Sequence, residues 1–274
     1  MHEKYNRLLL KLKEMHSVVL AFSGGVDSTL LLHAIKESGI PSLAVTAFSD
    51  IMPEGELRFA EAMAQLIGIP HLVIRTNELD NPHFVKNPPN RCFYCKDERY
   101  SILVTLASTY GYRHVVDGGN IDDLQDWRPG RQAALKQGVR SPLEETGLSK
   151  GEIRALSKAV GLSSWSKLAS PCLASRFPYG EEITKEGLKR VELAEEYLKG
   201  LGFDELRVRS HQDSARIEVR LDEIHKIYHQ AVREALVSRF KELGFRYITI
   251  DLEGFRSGSL NPRIERIDGA DRHD

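Results

Sequence analysis

The sequence predicts an α/β protein in which a parallel sheet is followed by a second, smaller α+β domain. Two observations support this prediction. Through the first half of the chain, short apolar runs that suit strands alternate with segments of helical periodicity, a pattern typical of a parallel sheet covered on both faces. The length of 274 residues exceeds the usual size of one compact domain. We therefore expect two domains, residues 1–175 and residues 176–274.

The elements of the first domain follow from hydrophobic periodicity and from turn residues. Apolar runs rich in Val, Leu and Ile predict strands over residues 17–22, 43–48, 71–75 and 114–117. Amphipathic periodicity predicts helices over residues 3–14, 29–36, 54–67 and 100–110. The third of these helices is closed by Gly68. Right-handed crossovers between the strands then place the helices on the two faces of the sheet.

The second domain is predicted as a small unit of helix, two strands, helix and strand. These elements cover residues 184–200, 205–209, 215–220, 223–243 and 246–251, and the tail after Gly254 is predicted to be irregular. Two long loops precede it, residues 81–91, which contain three prolines, and residues 162–179. Loops of this length in a compact protein are commonly functional. We expect the second loop to be both the domain boundary and an active-site loop.

Composition restricts the class of protein. Lys and Arg number 38 against 39 Asp and Glu, and the pI is near 6.8, so the chain lacks the basic excess of a nucleic-acid-binding protein. No apolar run is long enough to span a bilayer, and the first 16 residues are too charged for a signal peptide. We therefore expect a cytoplasmic protein with neither a nucleic-acid nor a membrane partner. Its three cysteines favour a metal or reactive-thiol role over disulfides.

A glycine-rich loop follows the first predicted strand and opens the next helix, which is the context of a phosphate site. Glycines allow close backbone approach and a positive φ, the helix N-terminus favours an anion, and two serines supply hydroxyl donors without any lysine. The sequence lacks the Lys of an ordinary P-loop and the glycine spacing of a dinucleotide fingerprint. A loop that only caps the helix is the alternative. The predicted site comprises Ser23, Gly24, Gly25, Val26, Asp27 and Ser28.

A second polar segment follows the fourth predicted strand, at the carboxyl edge of the sheet where parallel α/β sheets bind ligands. We expect it to face the glycine-rich loop and to contact a nucleotide or a metal. A solvated turn is the alternative. The residues predicted to contact the nucleotide are Asp117, Gly118 and Asn120.

Cys92 and Cys95 form a Cys-x-x-Cys motif, and Cys172 lies alone in the second long loop. Three thiolates can hold three corners of a four-iron cluster and leave the fourth iron open. Zinc is an alternative that requires a fourth ligand such as His83 or His114. Free thiols, packed as small apolar groups, are the third possibility.

Arg207 and Arg209 lie on one face of a predicted strand by alternation, and Arg176 lies beside Cys172. Three guanidinium groups can bind a phosphate and a carboxylate, which predicts that Arg207 and Arg209 bind substrate. A solvated edge strand fits the same alternation.

The glycine-rich loop resembles the PP-loop of the adenine nucleotide α-hydrolase-like superfamily, which includes NAD, GMP and argininosuccinate synthetases and several tRNA thiolases. That resemblance implies a sheet of order 3-2-1-4-5 and cleavage of ATP between its α and β phosphates to adenylate a substrate. It also implies that Asp27 holds Mg²⁺ near the departing pyrophosphate. An acid that only complements the helix dipole is the alternative role for Asp27.

Three further segments carry a resemblance to the LarE family over nearly the whole chain. They are residues 126–130, 140–143 and 171–180. LarE-type proteins are sulfur transferases that make the nickel-pincer cofactor. The resemblance implies a small-molecule mononucleotide substrate, pyridinium-3,5-biscarboxylic acid mononucleotide, whose carboxylates become thiocarboxylates. It also implies a homo-oligomer.

The family has two sulfur-donating variants. In one, the cysteine that matches Cys172 attacks the acyl adenylate and gives up its own sulfur. In the other, three cysteines hold an iron-sulfur cluster that carries the extra sulfide, and Cys92, Cys95 and Cys172 match this variant and its [4Fe-4S] cluster. The resemblance further implies a catalytic role near the reactive cysteine for Glu195, for which a surface glutamate is the alternative, and the cofactors ATP and Mg²⁺. Arg176, beside Cys172, is also predicted to be catalytic. A tRNA thiolase and a nucleotide-binding regulator are the competing functions.

Overall fold

The computed structural model describes residues 1–125 and 129–256, and the chain divides into two compact units. The first unit runs from Met1 to Glu192 and the second begins at Leu193. The domain boundary predicted after Ser175 stays a prediction. Residues 126–128 of a segment that carries the family resemblance, and residues 257–274 of the tail predicted to be irregular, lie outside the described residues.

The first unit contains a parallel sheet and eight helices in its described residues. Its strands are β1 (Val18–Ala21), β2 (Ser42–Phe48), β3 (His71–Arg75) and β4 (His114–Val116). Its helices are α1 (His2–Met15), α2 (Val26–Ser38), α3 (Glu54–Ile67), α4 (Pro82–Val85), α5 (Arg91–Thr109), α6 (Pro129–Lys136), α7 (Pro142–Glu145) and α8 (Lys150–Ala159). The sheet order is β3-β2-β1-β4, and the predicted parallel α/β fold is confirmed. The fifth strand implied by the superfamily resemblance is represented, among the described residues, by a parallel bridge between Val116 and Arg140.

Both faces of the central strand β1 are buried, as its apolar sequence predicted, whereas β3 is only partly buried. Val18 and Leu20 of β1 pack with the helices α1, α2, α3 and α8. Val19 faces the opposite side and packs with α5 and α6. This alternation within β1 places one strand in two hydrophobic cores. It fixes the carboxyl ends of β1 and β4, which carry the predicted site, side by side.

Several helices of the first unit differ from the sequence prediction. Helix α5 begins at Arg91 rather than at residue 100, so the Cys-x-x-Cys motif lies in its first turns. Helices α6, α7 and α8 were not predicted, although Pro129 and Pro142 start the first two, and Ser149 and Glu152 form a capping box on the third. Within the described part of the chain, no helix is long and apolar enough to cross a membrane.

The second unit has its own sheet, of order β5-β6-β7. Its elements are β5 (Leu206–His211), β6 (Ser214–Val219), α10 (Ile224–Tyr228), α11 (Gln230–Glu242) and β7 (Tyr247–Ile250), and the unit boundary falls within α9 (Lys185–Gly200). β5 and β6 are antiparallel, whereas β6 and β7 are parallel. The single helix predicted over residues 223–243 is wrong, because His229 is extended, with φ −62° and ψ 126°, and separates α10 from α11.

Candidate active site

The glycine-rich loop lies at the carboxyl end of β1 and leads directly into α2. Gly24 has a φ of 68°, the left-handed conformation that favours glycine. A Cβ at Gly24 would also lie 3.1 Å from the Cα and Cβ of Ala60 in α3. Gly25, by contrast, has a φ of −72°. The expectation of a positive φ is therefore confirmed for Gly24 and wrong for Gly25.

Two hydroxyl groups and a helix terminus converge in this loop. The Oγ atoms of Ser23 and Ser28 lie 3.1 Å apart, and the Gly25 amide donates to Ser23 Oγ at 3.3 Å. Gly25 is the N-cap of α2, and no side chain caps the helix there. The backbone amides of the first turn therefore point at the loop with the positive end of the helix dipole. Val26 contributes only backbone to this cradle, because its side chain is buried in the core.

The polar segment after β4 contacts the glycine-rich loop, as predicted. A Cβ at Gly118 would lie only 2.9 Å from the backbone N of Ser28 and 3.3 Å from the carbonyl C of Asp27. Gly118 is thus a close-packing position against the start of α2, and a side chain there would separate the two loops. Gly118 is needed at this position because it has no side chain. The sequence pattern alone could not distinguish this packing role from direct contact with a nucleotide.

Asp117 fixes the shape of the segment after β4. Its Oδ2 accepts a hydrogen bond from the Tyr100 hydroxyl at 2.6 Å, and its Oδ1 accepts from the Ser141 hydroxyl at 2.6 Å and the Gly119 amide at 3.0 Å. The carboxylate therefore ties the sheet edge to α5 and to the residues preceding α7. Asn120 is also buried, and its Oδ1 accepts from the Asp122 amide at 3.0 Å. Nucleotide binding by Asp117 and Asn120 stays a prediction.

Asp27 lies in the first turn of α2 and pairs with Lys150, the first residue of α8, through its Oδ2. Its other oxygen, Oδ1, is buried and has no hydrogen-bond partner among the described residues. Burial raises the pKa of Asp27 above its usual value, and the Lys150 charge acts in the opposite direction. A carboxylate with one unsatisfied oxygen beside a phosphate cradle fits the donor set of a magnesium site.

Two lysines that sequence analysis did not identify lie at the glycine-rich loop. Besides Lys150, the Lys167 Nζ donates to the carbonyl of Gly24 at 3.2 Å and pairs with Glu56 at 2.9 Å. Both lysines lie more than 120 residues after the loop. The loop motif contains no lysine, so the positive charges at the loop come from lysines in distant parts of the chain. The sequence of the loop itself does not predict them.

The three cysteines are free thiols that belong to the first unit. Cys95 is partly buried, and desolvation raises its pKa to about 12, with the charge of Arg99 acting to lower it. Cys92 and Cys172 both lie within electrostatic range of Cys95. Among the described residues, no three Cys, His, Asp or Glu side chains are arranged to bind a single metal ion. A donor set of three thiols fits a cluster of several irons better than one zinc ion.

A buried ion pair lies next to Cys95. Glu78 is 1% exposed, and its Oε1 accepts from Arg99 Nε at 2.6 Å and from the Thr76 hydroxyl at 3.0 Å. Cys95 Sγ lies 3.9 Å from the same oxygen. Although burial acts to raise it, the pKa of Glu78 is lowered by the Arg99 charge and by hydrogen bonds from the Ser49 hydroxyl, its own backbone amide and Arg99. The pair places both a carboxylate and a guanidinium beside Cys95, where Glu78 acts to raise the pKa of the thiol and Arg99 acts to lower it. Neither residue was predicted from the sequence.

Arg176 is buried within the loop that carries Cys172. Its Nη1 donates to the carbonyls of Pro171 at 2.8 Å and Cys172 at 3.2 Å, and to the Ser175 hydroxyl at 2.9 Å. These contacts hold the backbone around Cys172 in a fixed turn. They favour a positioning role, and the catalytic role predicted for Arg176 stays a prediction.

The other predicted site residues belong to the second unit. Glu195 is buried, and its Oε1 accepts from the Val208 amide at 3.0 Å. Arg209 is 9% exposed and pairs with the buried Glu218 at 2.9 Å. Arg207 is half-buried, with its guanidinium 5.0 Å from the ring centre of Phe255. Strand β5 thus carries both arginines. The roles predicted for Glu195, Arg207 and Arg209 stay predictions.

The parallel sheet with a Ser-Gly-Gly loop between β1 and α2, and with the β4 segment packed against it, defines a protein of the PP-loop class. Comparison with known proteins supports this class and narrows it. The chain is 38% identical over 263 residues to the pyridinium-3,5-bisthiocarboxylic acid mononucleotide synthase of Lactiplantibacillus plantarum, covering 94% of each chain. The protein therefore belongs to the LarE family.

Further relatives include one that is similar over most of the chain and one that is similar over about half of it. The chain is 49% identical over 249 residues to an uncharacterized protein of Synechocystis sp., covering 90% of this chain and 93% of the relative. It is 24% identical over 187 residues to a tRNA-specific 2-thiouridylase of Caldanaerobacter subterraneus, covering 53% of this chain and 51% of the relative. No protein-family model matches the chain.

Proposed function

We propose that the protein is an ATP-dependent sulfur transferase that converts the carboxylates of pyridinium-3,5-biscarboxylic acid mononucleotide into thiocarboxylates. The observation that carries this proposal is the 38% identity, over 94% of the chain, to a synthase whose name states the thiocarboxylate product. The phosphate cradle between β1 and α2 suits the ATP-dependent half of the reaction. The three thiols of the first unit suit the sulfur-delivering half.

In the first half-reaction, a substrate carboxylate oxygen attacks the α phosphorus of ATP and pyrophosphate leaves. The leaving pyrophosphate accepts hydrogen bonds from the hydroxyls of Ser23 and Ser28 and from the first-turn amides of α2, which stabilise its negative charge. Lys167, held at the Gly24 carbonyl, adds a positive charge at the same loop. Asp27 would hold Mg²⁺ through its unsatisfied Oδ1, and that ion would neutralise charge on the leaving group.

In the second half-reaction, a sulfur nucleophile attacks the acyl adenylate, a carbon-sulfur bond forms and AMP leaves. In the variant without a cluster, the nucleophile is the thiolate of Cys172, and cleavage of its Cβ–Sγ bond leaves dehydroalanine in the chain and the sulfur on the product. In the variant we propose here, Cys92, Cys95 and Cys172 would hold a [4Fe-4S] cluster, whose open iron would supply a hydrosulfide taken up from solution as the nucleophile, so that the polypeptide would keep its own sulfur. Binding of metal would deprotonate the Cys95 thiol, whose pKa is raised in the metal-free protein.

The proposed function is tested by anaerobic purification, followed by turnover with Mg·ATP, hydrosulfide and the mononucleotide substrate. Pyrophosphate and thiocarboxylate are measured together with bound iron and with the intact mass of the chain. We expect both products, bound iron and an unchanged mass. Loss of one sulfur from the chain would show instead that Cys172 is the donor. Absence of pyrophosphate in the presence of substrate would refute the proposal and favour a nucleotide-binding regulator.

The competing function is tRNA thiolation, and the distant similarity to a 2-thiouridylase is the observation that favours it. A formal net charge of −1 argues against it, because binding to a phosphate backbone requires basic side chains. A salt-dependent tRNA mobility-shift assay separates the two functions.

We also expect the protein to form a homo-oligomer. Light scattering, which gives the mass of the particle in solution, tests this expectation.

Arg207→Ala is expected to weaken binding of the mononucleotide about thirtyfold, because a charge-assisted contact contributes about 2 kcal/mol. The affinity for ATP should not change. Arg220→Ala is the matched control, since Arg220 follows β6 and its only described ion pair is the exposed one with Asp222.

Arg209→Ala should lower both substrate affinity and stability, because it leaves the buried Glu218 with Arg216 as its remaining ion-pair partner. Unchanged substrate affinity in both variants would show that these arginines do not bind substrate.

A further inference from the structure

The two chain segments that carry the cysteines are joined by a buried side chain, Asn87. It lies in the proline-rich loop, a few residues before Cys92. Asn87 is fully buried, and its φ of 52° is in the left-handed region, which few residues other than glycine and asparagine adopt readily. A buried amide in this conformation is retained only where its hydrogen bonds are made.

Asn87 makes its hydrogen bonds to the segment that follows Cys172. Its Nδ2 donates to the carbonyl of Pro178 at 2.7 Å and to that of Phe177 at 3.4 Å. Its backbone carbonyl accepts from the Gly180 amide at 2.9 Å. The two segments are far apart in sequence, so these bonds, together with one from the Ile183 amide to the Val85 carbonyl at 2.9 Å, close a large loop of the chain.

Arg91 completes the connection at the start of α5. Its Nη1 donates to Asn87 Oδ1 at 2.7 Å, and its guanidinium carbon lies 4.9 Å from the ring centre of Tyr179. Arg91 is 5% exposed and directly precedes Cys92 in the chain. The amide of Asn87 is therefore used at both ends, its oxygen for the Cys-x-x-Cys helix and its nitrogen for the Cys172 segment.

We propose that Asn87, Arg91 and Tyr179 form a clasp that sets the position of Cys172 relative to Cys92 and Cys95, with Asn87 as its positioning residue. This inference rests on the proposed function for its purpose, since sulfur delivery by three thiols requires them to converge. The clasp itself is a property of the first unit and is measurable without substrate. Its chemistry requires a side chain that accepts at one end and donates at the other, which asparagine supplies.

Asn87→Asp is the discriminating variant, because aspartate has the same shape and keeps the oxygen that faces Arg91. It replaces the Nδ2 donor by an acceptor that faces two carbonyls, which repels the Cys172 segment. Asn81→Asp is the matched control in the same loop. The Oδ1 of Asn81 accepts from the His83 amide at the N-terminus of α4, and an aspartate accepts the same bond. The hydrogen bond from Asn81 to Glu98 is lost, so the control also exchanges a donor for an acceptor, but away from the Cys172 segment.

The test compares three rates in the full-length proteins. In metal-free protein, a bifunctional thiol reagent should cross-link Cys172 to Cys92 or Cys95 about tenfold more slowly in Asn87→Asp than in wild type, as measured by peptide mass. After reconstitution with iron and sulfide, a chelator should remove iron about tenfold faster from Asn87→Asp. Pyrophosphate release should stay within about twofold of wild type, and Asn81→Asp should match wild type in all three rates.

Cross-linking at the wild-type rate in Asn87→Asp would overturn the clasp, whatever the protein does to substrate. Failure of wild-type protein to form thiocarboxylate, with the cross-linking difference intact, would instead contradict the proposed function. Should Asn87→Asp not fold, Tyr179→Ala removes the half-buried ring that covers Arg91, and the same slower cross-linking and faster iron loss are expected. Wild-type values of both rates in that folded variant would also overturn the clasp.

Discussion

Cys172→Ser protein is expected to release pyrophosphate at close to the wild-type rate and to form no thiocarboxylate. Adenylation requires the loop between β1 and α2 and the substrate, whereas sulfur delivery requires the Cys172 thiolate as nucleophile or as ligand. Serine preserves the size of the side chain, so Arg176 should still hold the backbone turn at this position. The measurement is pyrophosphate by a coupled assay and thiocarboxylate by mass spectrometry in the same reaction.

Cys92→Ser and Cys95→Ser then distinguish the two donor variants. If the sulfur is delivered by a cluster, both variants should lose bound iron and thiocarboxylate formation together. If Cys172 gives up its own sulfur, both variants should keep thiocarboxylate formation, because only Cys172 is needed. Thiocarboxylate formed at the normal rate by Cys172→Ser protein would contradict both mechanisms, because each requires the Cys172 thiolate.

Gly118→Ala protein is expected to lose about a hundredfold in pyrophosphate release while remaining folded. The new Cβ would lie 2.9 Å from the backbone N of Ser28, so the β4 segment or the start of α2 must shift. A misplacement of about 1 Å in an active site costs on the order of a hundredfold in rate, whereas overpacking costs about 1 to 3 kcal/mol in stability. The rate effect should therefore exceed the stability effect, and the two are measured by pyrophosphate release and thermal unfolding.

Gly55→Ala is the control for this prediction. Gly55 lies in the first turn of α3, and an added Cβ there meets no atom within 4 Å. Alanine at this helical position should leave release unchanged and raise stability slightly. Equal rates in Gly118→Ala and Gly55→Ala would show that the contact between the two loops has no part in adenylation.

Local signals were sufficient where both ends of an element are marked in the sequence. Helix α3 matches its predicted bounds, because Pro53 precedes it and Gly68, with a φ of 74°, ends it. The break between α10 and α11 was missed because His229 is neither proline nor glycine. The start of α5 was placed too late because the prolines before it suggested a longer loop, although Arg91 is already helical.

For the site, the sequence predicted what one segment contains and missed what distant segments contribute. The Ser-Gly-Gly loop and its position between strand and helix were visible in six consecutive residues. The pairing of Lys150 with Asp27 spans 123 positions in the chain, and that of Arg99 with Glu78 joins α5 to the region after β3. Such contacts depend on the tertiary fold, and no local periodicity encodes them.

Helix α5 serves as a rigid spacer between the two halves of the proposed chemistry. Cys95 lies near its N-terminus, and five residues later Tyr100 donates its hydroxyl to Asp117 at the edge of the sheet. At about 1.5 Å per residue, the helix sets an axial separation of about 7.5 Å between these two attachment points. One inserted residue would rotate them about 100° relative to each other. The sequence between Cys95 and Tyr100 should therefore tolerate substitution at its exposed positions far better than any change in length.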